Sequence, residues 1–288
     1  MKRSKLWFAL FVGPCLLAFL MVVIIPMFMG FYYSFTDWNG IGNTAQWVGA
    51  KNYIQILTKD PGFLNAFLFT AKFAAVSVAV INLMGFSLAL LATRGLRGSH
   101  VMRSIFFMPN LIGGLILGFV WQFIFIKAFD GAGKLLGIEF LQGWLSSTST
   151  GFWGLAILMS WQLSGYMMII YIAALESIPE SLNEAAQIDG ATAWQRLRHI
   201  TIPLVAPAFT VGVFLSLSNA FKLFDQNLAL TAGGPFDSTQ MLALNIYKSA
   251  FVFNKLGLAQ AKAVIFLLVV SAITLTQIYF SKKREVEM

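Results

Sequence analysis

The chain has 288 residues, 58% of them hydrophobic and 11% charged, with a mean hydropathy of +0.75. Soluble domains are about 45–50% apolar and about 25% charged, so an ordinary soluble enzyme is excluded, and so is a disordered chain. The formal charge of +8 does not point to nucleic acid, because the basic residues sit in short clusters beside apolar runs, as in membrane proteins. Cys15 is the one cysteine, so neither a disulfide nor a thiolate metal cluster can form within the chain.

A spanning helix needs about 20 mostly apolar residues. Stretches nearly free of charge predict six spans, at about 7–33, 67–93, 104–126, 152–175, 203–223 and 262–281. The fold class is therefore an all-α integral membrane protein. Lys2-Arg3-Ser4-Lys5 before an apolar run has the look of a secretory signal. That run is too long for a signal core and no small-x-small cleavage site follows, so it is read as a retained first span.

With six spans, both termini share one side. Lys2, Arg3, Lys5, Arg94, Arg97, Arg103, Arg196, Arg198, Lys282, Lys283 and Arg284 fall there, whereas the opposite loops carry only lysines. The excess of basic residues predicts that the termini are cytoplasmic. Lys72, Lys222 and Lys262 lie at span ends, where long cationic side chains snorkel. The aromatic run around Phe31–Trp38, with Trp144 and Trp153, reads as interfacial belts.

The segment between the fourth and fifth spans, residues 176–202, is too polar to cross a membrane and rich in helix signals. Ser177-x-x-Glu180 and Ser181-x-x-Glu184 are overlapping capping-box patterns. A short helix through Glu184-Ala185-Ala186 should stop at Gly190, and a second turn should run from about Thr192 to His199 before Pro203 opens the fifth span. The spacing alone leaves two readings open: a well-capped linker, or a surface built for a partner.

Glu184-Ala185-Ala186, Gly190 and Ile200-x-Ile202-Pro203 closely resemble the EAA signature of permease subunits in binding-protein-dependent ABC importers. Further stretches resemble the maltose and multiple-sugar branch. They are Ser34-Phe-Thr-Asp-Trp38, Val48-Gly-x-x-Asn-Tyr53, Arg103-x-x-Phe-Phe-x-Pro109, Ala173-Ala-Leu-Glu-Ser-Ile-Pro179 and Thr231-Ala-Gly-Gly-Pro235. Phe69-Thr70 departs from the Asn-Thr usual at the start of the second span.

The resemblance implies the six-helix type I importer fold and a single permease domain over residues 1–288. It implies a multi-pass protein of a prokaryotic plasma membrane that forms half of a pore for a sugar, most nearly an oligosaccharide. The expected partners are a second permease subunit, two ATPase subunits, an external sugar-binding protein and membrane lipid. By the same resemblance Glu184, Ala185, Ala186, Asp189 and Gly190 would couple to the ATPase, and Gly233, Gly234 and Pro235 would belong to an external gate loop. No cofactor is expected in this chain, and no enzyme activity, since ATP and Mg²⁺ would be held by the partner ATPase. Gly131-Ala-Gly-Lys134 is not a phosphate loop: the first Gly is missing and Leu135 stands where a Mg²⁺-binding Ser or Thr belongs.

Sugar recognition calls for aromatic faces and hydroxyl-bonding groups, and polar groups within hydrocarbon are costly unless used. The expected substrate-lining residues are Trp161, Gln162, Gly165 and Tyr166 on the fourth span and Ser216, Asn219 and Lys222 on the fifth. The alternative for the same residues is close helix packing with interhelical hydrogen bonds. A stand-alone secondary transporter or channel is the competing function. It would predict an inverted repeat or an acid-lined path, and neither is visible. An intramembrane enzyme lacks support as well: His100 and His199 both fall in loops.

Overall fold

The computed structural model describes residues 2–42, 44–95 and 98–283; Arg97 and Arg284, placed above on the arginine-rich side, lie outside them. The first helix runs over residues 2–33, with α1 (Leu10–Tyr33) as its spanning part. Then follow α2 (Lys51–Lys59), α3 (Pro61–Ala92), α4 (Ser99–Phe107), α5 (Gly114–Leu136) and α6 (Thr148–Glu176). The chain continues with α7 (Glu180–Ile188), α8 (Ala193–Phe221), α9 (Asp225–Leu230), α10 (Leu242–Val252) and α11 (Leu256–Lys282). Six of these helices, α1, α3, α5, α6, α8 and α11, are long and apolar enough to cross a bilayer. Among the described residues there is no sheet, only one antiparallel bridge between Thr36 and Trp47.

The helix boundaries follow from local chemistry. The third span begins at Gly114 rather than near residue 104, because Pro109 and Gly113 interrupt the helix between α4 and α5. It also continues to Leu136, past Lys127, where a reading of charge-free stretches stops. The extension holds its charge by pairing: Lys134 Nζ lies 2.6 Å from Asp130 one turn earlier. The residues that imitate a phosphate loop are thus an ordinary helix. Thr150 N–H donates to Ser147 Oγ (3.2 Å) and Ser147 N–H to Thr150 Oγ1 (3.2 Å), a reciprocal cap that starts α6 at Thr148.

Pro203 does not open a helix. It lies inside α8, directly after a π-helical stretch, Leu197–Thr201. Pro26 stands in the same relation to the π-helical stretch Leu20–Ile24 within α1. A proline ring collides with the carbonyl four residues back and offers it no donor; the wider turn relieves both problems, so each helix runs on.

The chain divides into two compact units, residues 1–63 with 245–268 and residues 64–244 with 269–288. In the first unit, the loop after α1 folds on aromatic stacking. Tyr33 and Trp38 have ring centroids 4.3 Å apart, and Phe35 and Trp47 5.3 Å apart. Asn52 donates to the carbonyls of Ser34 (2.9 Å) and Thr36 (2.8 Å), tying α2 to that loop. Lys262 does not snorkel. It is 3% exposed, and its Nζ meets Asp60 (2.7 Å), Asn245 (2.8 Å) and Ser249 (2.9 Å). All three ammonium protons are satisfied, which is what makes a buried lysine tolerable.

In the second unit α6 is the central helix, with 72% of its spanning window buried. Neighbours reach it at small residues. A side chain on Gly165 would run into the carbonyl of Phe106 on α4, and one on Gly85 of α3 would sit 2.7 Å from Met167 Cβ. Tyr171 OH donates to Asn82 Oδ1 (2.5 Å), and Asn82 Nδ2 donates to Ser216 Oγ (2.9 Å), linking α6, α3 and α8. Lys72 lies over the Phe152 ring, 5.4 Å from its centroid. Trp144, expected in an interfacial belt, is buried instead and stacks on Phe125 at 4.8 Å with planes 8° apart.

Lys262→Met is expected to destabilise the protein by about 3–5 kcal/mol, because it strands the Asp60 carboxylate. Adding Asp60→Asn should recover part of the loss, as read by the melting temperature of the detergent-purified protein.

Candidate functional site

Two regions carry the residues singled out above. The first is the polar segment between α6 and α8. Pro179 precedes α7, and the expected serine caps do not form; Ser177 Oγ donates backwards to Ala174 O at 2.7 Å. A proline before the first turn supplies the extended entry in their place. Gly190 adopts φ +79° and closes the helix, with Asp189 N–H donating to Ala185 O (3.0 Å) and Ala191 N–H to Ala186 O (2.9 Å). Thr192 and Gln195 then form a reciprocal cap, with Thr192 N–H donating to Gln195 Oε1 (2.7 Å), that starts α8.

The result is a short helix, a left-handed turn and a second helix start. Glu184, Ala185, Asp189 and Gly190 are exposed and Ala186 is half-buried. Glu184 has no ion-pair partner among the described residues. Along the same helix Leu182 is 43% and Ile188 86% exposed, and Trp194 beyond the turn is 65% exposed. A cavity of about 320 Å³ opens beside the turn, lined by Asp189, Gly190, Gln195, Arg196 and His199 among others. Ile188 and Trp194 escaped notice in the sequence, although an isoleucine and a tryptophan in an otherwise polar helix pair are a readable signal.

The second region lies within the spans, where the named residues divide. Gly165 is sealed by the Phe106 carbonyl, and Ser216 is fully buried, bonded to Gly212 O (2.7 Å) and to Asn82. Both serve helix packing in this conformation and present no surface to a ligand. Gln162 is committed as well: its Nε2 donates to Ile112 O (3.2 Å) and its Oε1 accepts from Gln226 (2.8 Å). Asn219 and Lys222 are exposed near the end of α8, and Asn219 Nδ2 is held by Leu215 O (2.8 Å).

Trp161 is 38% exposed and meets Trp121 edge-on at 5.6 Å. Together with Trp153, Met84, Val80 and Ser160 they line a cavity of about 300 Å³. Tyr166, Asn219 and Lys222 do not line it.

Gly233, Gly234 and Pro235 form a tight turn after α9, Gly233 at φ +87° and Gly234–Pro235 with a cis peptide. Thr239 Oγ1 donates to Gly234 O (2.7 Å), and the buried Asn227 donates to Thr239 O (2.9 Å) and accepts from Met241 N–H (3.0 Å). The turn is a hydrogen-bonded knot rather than a slack loop. Its edge carries Phe236, fully exposed.

The described residues are helical, with six helices long and apolar enough to cross a membrane, as in a multi-pass membrane protein. Residues 81–286 match the family described as binding-protein-dependent transport system inner membrane component, and the chain belongs to that family. It is a multi-pass protein of the cell membrane. It is 53% identical over 286 residues, 99% of this chain and 97% of the relative, to a probable starch degradation products transport system permease protein of Thermoanaerobacterium thermosulfurigenes. It is 32% identical, over 98% of both chains, to a multiple sugar-binding transport system permease protein of Streptococcus mutans. Among solved structures, a bacterial ABC transporter involved in the import of the acidic polysaccharide alginate superposes with a TM-score of 0.84 at 21% identity. That match covers 98% of this chain and 96% of the other.

Gly165→Ala is expected to lower the melting temperature of the purified protein more than Trp161→Ala does. The added methyl group has no room against a backbone carbonyl, and overpacking of this kind costs about 1–3 kcal/mol.

Proposed function

We propose that this chain is the membrane-spanning subunit of an ATP-driven sugar importer. In this reading it forms half of the translocation pore, with the termini and α7 on the cytoplasmic side and the turn at Gly233–Pro235 outside. The observation that carries the proposal is the uncovered face of α7. Ile188 stands exposed one turn from Glu184 on the same face, and Glu184 has no ion-pair partner among the described residues; an exposed apolar side chain beside a free charge marks a docking surface. The family and the sugar-transport names of the relatives support the same reading.

An ATPase subunit receives α7, pairing a basic group with Glu184 and burying Ile188 and Trp194. The Gly190 turn sets the angle between α7 and α8, so a push on α7 is delivered to α8, and α8 carries Asn219 and Lys222. ATP and Mg²⁺ belong to the ATPase subunits. A second permease completes the pore, and α1, whose spanning window buries none of its residues, offers it an apolar surface. An external sugar-binding protein delivers the substrate. Trp161 and Tyr166 supply aromatic faces along the path, and Asn219 and Lys222 supply hydroxyl-bonding groups. Gly165 and Ser216 would reach substrate only if the helices separate.

The test is co-expression of the chain with its permease, ATPase and binding-protein partners, then purification in mild detergent. The expected result is co-purification of a second permease and two ATPases, with hydrolysis stimulated by one sugar and its binding protein. A chain that transports alone, with no ATPase attached, would make it a secondary transporter. Glu184→Lys and Ile188→Asp should each leave the permease in the membrane while detaching the ATPase or abolishing uptake, and normal uptake by both would sink the assignment of α7.

A further inference from the structure

Two sequence stretches that the docking surface does not use meet in the fold. Arg103 of α4 places Nη2 2.7 Å from Glu176 Oε1, the last residue of α6, across 73 positions of chain. The same Nη2 lies 3.5 Å from Ala92 O at the end of α3. One guanidinium on α4 therefore gathers the C-terminal ends of α3 and α6 at the level where the chain turns into α7. Its Nε is buried and has no hydrogen-bond partner among the described residues, so the fork is not fully used in this conformation, although a guanidinium can grip a carboxylate with two parallel bonds.

Only residues 177–179 separate Glu176 from α7. Three residues give little slack, so displacement of α7 acts first on Glu176. Farther along α6, eleven residues away and on the order of 16 Å at the helical rise, α4 is fastened to α6 again by the close approach of the Phe106 carbonyl to Gly165. Two fastenings make α4 and α6 one rigid lever. With the outer one released, α6 would pivot on the Gly165 contact and the movement of α7 would no longer reach α4.

We propose that the Arg103–Glu176 pair is the positioning element that converts movement of α7 into joint movement of α4 and α6. This rests on the importer reading above and deepens it, adding a route of force separate from the α7–α8 turn. The pair acts through the helices it joins and is not required to touch substrate or ATPase. Its partial exposure (26% for Arg103 and 54% for Glu176) makes a small contribution to stability the expected one, so its loss should appear in coupling before it appears in folding.

The experiment uses the whole transporter, both permeases and both ATPases, in proteoliposomes with its binding protein and sugar. It reads sugar transported per ATP hydrolysed. Arg103→Glu and Glu176→Arg should each lower that ratio by about fivefold or more, the lower range of allosteric coupling, with the ATPases still bound. The double exchange Arg103→Glu with Glu176→Arg should restore at least half of it. Arg103→Lys, which keeps the charge and loses the fork, should fall between.

An unchanged ratio in both single variants would overturn the proposal, including the case where only the melting temperature falls. Failure of the double exchange to recover what both single variants lose would also overturn it. A wild-type complex without sugar-stimulated hydrolysis would instead remove the importer reading, and the coupling role with it.

Discussion

Inside a bilayer the hydrophobic effect no longer separates core from surface, since lipid is as apolar as a leucine side chain. Helices hold together there by close van der Waals contact and by polar groups that must find each other. In this protein that constraint is met around α6. Gly85 and Gly165 let α3 and α4 press their backbones against it, and Tyr171 joins it through Asn82 to Ser216 of α8. Close approach at the two glycines and hydrogen bonding between buried polar side chains act side by side there. Other features of the second unit hang on this arrangement: the position of the α6 terminus, the place where α7 begins, and the depth at which Trp161 meets Trp121.

The same constraint governs the charges. Lys262 sits among Asp60, Asn245 and Ser249, Lys134 pairs with Asp130, and Arg103 reaches Glu176. Glu184 is the contrasting case, exposed and without an ion-pair partner among the described residues, on a helix that also shows Ile188 to solvent. A surface that is neither fully polar nor covered is incomplete in the isolated chain. The physical logic of the proposed importer is that one helix is left unfinished for a partner while the helices behind it are fastened together.

Small irregularities serve the same end. The π-helical stretches before Pro26 and Pro203 allow prolines inside long helices without a break. A proline that ended the helix at residue 203 would have left a joint between the Gly190 turn and the fifth span. In the proposed importer the continuous α8 would instead carry displacement at Thr192 directly into the membrane.

Much of this was legible in the chain itself. Six runs of apolar residues, the bias of arginine toward one side, the Gly190 stop and the polar segment around Glu184 depend on local composition and spacing, so a linear reading finds them. What composition could not decide was which polar groups within the spans face each other. Gly165 and Ser216 have the right chemistry for a sugar path, yet both are consumed in packing. Their surroundings are set by Phe106 and Asn82, 59 and 134 residues away in sequence. Lys262 looked like a snorkelling residue because Asp60, its counter-charge, is about 200 positions distant. The span count, the short polar helix through Glu184 and its stop at Gly190 were thus determined by the sequence alone. The partners of each buried polar group, and with them the link from Arg103 to Glu176, were decided only when the tertiary structure brought distant residues into contact, because hydrogen bonds and ion pairs act over a few ångströms and carry no mark in linear spacing.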